Sequence, residues 1–78
     1  MGNNLGQQIY DILKEELSEI TAGMIVKEKC KKIGKAIDII TLEDLKNLIP
    51  LIMAPVLLFG GNEKSQKIKE KLEKLVTS

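Results

Sequence analysis

Seventy-eight residues make one small domain, read here as a single helical unit over residues 1–78. Twelve lysines against eleven acids leave a net charge of +1, without the basic excess of a dedicated nucleic-acid binder, and 44% apolar residues are too many for a disordered chain. The chain has no His and no Arg, and Cys30 is its only cysteine, so Ser-His and Cys-His nucleophile pairs, zinc sites and an internal disulfide are all excluded.

The aliphatic content is high, with 11 Ile and 11 Leu beside one Tyr and one Phe. The first ten residues are polar and lack a basic leader, so no signal peptide is expected. Met1-Gly2 opens like a myristoylation motif, but Gly6 stands where that motif needs Ser or Thr. A lone cysteine fits a reducing, cytoplasmic setting.

Asn3 or Asn4 is a candidate cap for a first helix. Leu5, Ile9, Ile12, Leu13, Leu17 and Ile20 then recur at helical spacing as one buried face. Asp11, Glu15 and Glu19 run at steps of four on another face; without histidines they read as a solvated stripe, not a metal site. Thr21-Ala22-Gly23 is a break or a soft point. A second amphipathic pattern follows through Val26, Cys30, Ile33 and Ile37, with Gly34 near its end as a left-handed cap. Cys30 lies on that apolar stripe and reads as a core residue.

Thr41-Leu42-Glu43-Asp44 is the clearest boundary. It pairs a capping hydroxyl with two acids on the positive first turn, and Ile40 and Leu45 are spaced as a hydrophobic staple. The third helix runs from there toward Phe59, with a kink expected at Pro50 and another break possible at Pro55. Gly60-Gly61 reads as a stop and Asn62 as the cap of a fourth helix with Ile68, Leu72, Leu75 and Val76 facing inward. The expected fold is therefore an all-α bundle of four helices, the third kinked at Pro50.

From Leu48 to Phe59 no residue is polar. Twelve helical residues rise only about 18 Å, too short for the roughly 30 Å core of a bilayer, so no transmembrane segment is expected. A helix apolar all round needs cover on every side. The expected function is accordingly non-catalytic: a small interaction or regulatory module that forms a homodimer or binds a partner protein. The association residues are Leu48, Ile49, Leu51 and Ile52 in the first half of the run, with Met53, Val56, Leu57 and Phe59 in the second.

The alternative is a nucleic-acid accessory protein whose Lys27, Lys31 and Lys35 share one helical face and contact phosphate, although specific base reading prefers Arg or Asn/Gln. A small-molecule site in an aliphatic pocket near Met24 and Met53 is a third reading. Gly60-Gly61-Asn62-Glu63-Lys64-Ser65 lacks the spacing and the preceding strand of a phosphate-binding P-loop. Ser18, Ser65 and Ser78 lack the Asp-Ser-Leu setting of an acyl carrier. No catalytic, cofactor or metal site is expected.

Overall fold

In the computed structural model, which describes residues 5–77, three α-helices and one 3-10 turn follow each other in the order α1 (Leu5–Glu16), α2 (Glu19–Lys32), the turn Ile37–Ile39 and α3 (Leu42–Thr77). The caps proposed at Asn3 or Asn4 lie outside the described residues. The fold is all-helical, but the count is three α-helices and not four.

The apolar face expected to run unbroken from Leu5 to Ile20 is divided at Leu17–Ser18. Ser18 has an extended backbone (φ −73°, ψ 159°), and its hydroxyl oxygen accepts a 3.1 Å hydrogen bond from the Thr21 amide. It also donates to the Thr21 hydroxyl at 2.7 Å. The cap of α2 is thus Ser18, three residues before the break read at Thr21-Ala22-Gly23, because a serine hydroxyl satisfies an orphan amide there. Two consequences follow. Ile20 is not a core residue but 82% exposed. Glu19 belongs to a different helix from Asp11 and Glu15, so the acidic stripe does not exist as one row.

The end of α2 is closed by a Schellman motif. Lys35 N–H donates to the Cys30 carbonyl and Gly34 N–H to the Lys31 carbonyl, each at 3.0 Å. Gly34 has φ +73°, the left-handed conformation that glycine adopts at no steric cost. The start of α3 is a reciprocal capping box. The Asp44 amide donates to the Thr41 hydroxyl and the Thr41 amide to an Asp44 carboxylate oxygen, both at 3.1 Å. Ile40 and Leu45, the staple pair, are both buried.

The correction to the helix count lies in α3. Gly60-Gly61 does not stop it. Its one residue with non-helical dihedrals is Gly61 (φ 80°, ψ 179°), a region that only glycine enters freely. Pro50 and Pro55 both lie inside the helix with helical backbone, so the kink expected at Pro50 is at Gly61 instead. The bend there is large. A straight 36-residue helix would be about 54 Å long, whereas the longest dimension of the molecule is 32 Å. Pro50 has no amide hydrogen to donate to the Lys46 carbonyl, and both residues are exposed.

Folding back at Gly61 lets both limbs of α3 serve one core. Leu45, Leu48, Ile52 and Val56 from the first limb join Ile68 and Leu72 from the second. Leu5, Ile9 and Leu13 of α1 and Ala22, Ile25, Val26 and Cys30 of α2 complete it. An ion pair between Glu15 and Lys71 ties α1 to the second limb, and hydrogen bonding to Glu15 raises the Lys71 pKa above the ordinary lysine value. The radius of gyration, 11.2 Å, is close to the roughly 11.5 Å of a compact chain of this length.

Candidate functional site

The apolar run is sorted by helical geometry. Leu45, Leu48, Ile52 and Val56 recur at steps of three and four and are fully buried. Ile49, Leu51 and Met53 flank that face and are half-buried. The outward face is also apolar. Pro50, Ala54 and Leu58 repeat every four residues and are exposed, Leu58 at 80%. Leu57 and Phe59 are about half exposed.

Of the eight residues expected to associate, Leu48, Ile52 and Val56 are therefore core residues of their own subunit. Leu57 and Phe59 remain on the surface. The reading from sequence missed Pro50, Ala54 and Leu58 as the outer stripe. The signal for them was their four-residue spacing within a run that carries no charge to mark a solvated side.

Surroundings extend the exposed end. At Gly60 an added Cβ would lie 3.0 Å from a Leu17 methyl carbon, so the α1–α2 junction abuts the last turn before the bend. Exposed Ile20 follows three residues later. Leu57 also lines a cleft of 230 Å³ together with Asn62, Ser65 and Lys69.

The lysines lie elsewhere. Lys27, Lys31 and Lys35 line a groove of 640 Å³ whose apolar surface comes from Val26 and Cys30 of α2, Tyr10 of α1 and Ile37 of the 3-10 turn. Lys35 is also 3.3 Å from an Asp44 carboxylate oxygen. The Asp44 carboxyl is held below its ordinary range, first by the Thr41 amide, and further by the Thr41 hydroxyl and by Lys35. Burial pushes the Cys30 thiol pKa up, and the Asp44 charge adds to this, so the thiol stays neutral. Met24 is on a different cleft with Lys27, Glu28 and Lys31, and Met53 does not line it.

Among the described residues no group of three or more acidic or cysteine side chains converges to hold a metal, and no helix is long and apolar enough to cross a membrane. Compared with protein families, curated proteins and solved structures, the chain gives no match.

Proposed function

We propose that the protein is a non-catalytic helical association module that pairs with a second copy of itself through the outer face of α3. The observation that carries this reading is the uncharged stripe Pro50–Ala54–Leu58, exposed along a helix whose opposite face is already committed to the core. An exposed large side chain forgoes about 1.5–3 kcal/mol of burial. A second copy recovers that for both subunits.

The stripe suits a twofold axis. In such an interface residue i meets j while j meets i. Pro50 and Leu58 are equidistant from Ala54, so antiparallel pairing centred on Ala54 sets each proline against the other copy's Leu58. The small Ala54 lets the two backbones approach. Leu57, Phe59 and Ile20 would extend the contact toward the roughly 800 Å² per partner of a stable interface. The neutral, buried thiol of the single Cys30 suits a reducing, cytoplasmic compartment.

Light scattering coupled to gel filtration tests the reading. Wild type is expected to elute as a dimer at micromolar concentration and Leu58→Asp as a folded monomer. A wild-type monomer at several hundred micromolar would overturn it.

The nucleic-acid reading is less well supported. Lys27, Lys31 and Lys35 flank an apolar groove, and Lys35 is partly neutralised by Asp44.

A further inference from the structure

The groove beside α2 has a composition that the association reading does not use. Its deep surface is apolar: Val26 and Cys30 are buried side chains, and Tyr10 of α1 and Ile37 of the 3-10 turn line it beside them. Every charged residue that lines it is a lysine. Lysine stems cover apolar surface while their ammonium groups stay in water at the mouth. A fourth cation stands nearby, because the Lys14 ammonium lies 5.4 Å from the centre of the Tyr10 ring. Two acids temper this charge from outside the groove. Asp44 holds Lys35, and Glu28 lines the neighbouring cleft together with Lys27 and Lys31. Lys27 and Lys31 are therefore the cations at the mouth that Asp44 does not hold.

The shape restricts the occupant. The groove follows α2 from Gly23 through Cys30 and Lys31 and continues past the helix end along Gly34, Lys35, Ala36 and Ile37. Its 640 Å³ falls within the roughly 300–1,000 Å³ of small-molecule sites. At Gly23 the missing side chain keeps the wall low, since a Cβ there would touch the Tyr10 ring at 3.7 Å.

We infer that this groove binds a free long-chain carboxylate, the hydrocarbon tail lying on Tyr10, Val26, Cys30 and Ile37 and the carboxylate meeting Lys27 and Lys31 at the mouth. Tail burial supplies most of the affinity, and the lysines select an anionic head over a neutral or cationic one.

Titration of the isotope-labelled full chain with laurate, below its micelle concentration, tests this by amide shifts and calorimetry. The expected result is saturable binding at one site per chain, with shifts concentrated on Tyr10 and residues 23–37. Two exposed ion pairs are each worth up to about fivefold, so Lys27→Gln/Lys31→Gln is expected to weaken laurate binding about two- to twenty-five-fold. The same variant should leave 1-dodecanol unchanged, and dodecanol should bind wild type more weakly than laurate does. Ala36→Trp, which fills the groove from an exposed position and leaves the charges in place, is expected to abolish binding of both.

Any of four results overturns the inference: no saturable laurate binding, equal affinity of wild type and the double lysine variant, unchanged binding in Ala36→Trp, or shifts centred on residues 50–59. Binding of an acidic amphipathic peptide, or of anionic vesicles, in the absence of laurate binding also overturns it. Leu58→Asp lies on another face and should bind laurate as wild type does, so failure here is separable from failure of self-association.

Discussion

Gly6 and Gly23 are both helical, and an added methyl group meets opposite surroundings at the two. A Cβ at Gly6 would collide with the Ile37 carbonyl oxygen and its Cγ1, because α1 packs directly on the backbone of the 3-10 turn. Backbone cannot step aside as a flexible side chain can. Gly6→Ala is expected to destabilise by about 1–3 kcal/mol, the usual range of overpacking, although alanine is the better helix former. A Cβ at Gly23 makes only ordinary contact with Tyr10. Gly23→Ala removes backbone freedom from the unfolded chain and is expected to stabilise by about 0.5–1 kcal/mol. Urea unfolding of both variants checks the pair; the same sign for the two would contradict the packing of α1 on the turn.

At the scale of elements, local chemistry was legible and hydrogen-bond continuity was not. The Thr41–Asp44 box and the Gly34 cap each depend on a few adjacent residues, so the sequence shows them directly. Ser18 was missed because the apolar spacing of Leu17 and Ile20 matched the preceding face, and only packing shows that Ile20 turns away from the core. Gly60-Gly61 was legible as a discontinuity, but a Gly pair does not say whether a helix ends there or bends and continues. Gly61 bends it, at dihedrals confined to glycine, so Gly61→Ala is expected to cost about 1–3 kcal/mol even though its Cβ would meet open space.

The capping box has a pH signature at the same scale. Folding holds the Asp44 carboxyl below its ordinary value, so the ionised form is favoured in the folded state. That contribution is complete above the unfolded carboxylate pKa, about 3.9, and is lost as pH falls through the depressed value. Asp44→Asn keeps an oxygen acceptor for the Thr41 amide but has no such titration. Its stability is expected to fall less than that of wild type between about pH 5 and about pH 2, as measured by urea midpoints across that interval. An identical pH profile in the two proteins would show that Asp44 is not ionised in the box.

For the whole molecule, the question posed by twelve consecutive apolar residues is how many sides of one helix a 78-residue chain can cover. Composition shows the demand but not the supply, which depends on where the bend at Gly61 sends the second limb. The fold covers one side completely, Ile52 being 1% exposed, and leaves Leu58 at 80%. The same substitution at these two positions therefore tests different things. Ile52→Asp places an unpaired charge in the core and is expected to unfold the chain at every protein concentration. Leu58→Asp adds a charge on the open face and should leave the helical signal intact. Self-association adds mass-action coupling between stability and concentration. The wild-type melting temperature is expected to rise by several degrees as protein concentration increases a hundredfold, since each additional 1 kcal/mol shifts a domain of this size by about 4–8 °C. Leu58→Asp, lacking the paired state, should melt at one temperature throughout. If wild type also melts at one temperature, the outer face of α3 does not hold a second copy, and its apolar stripe is a surface the monomer tolerates.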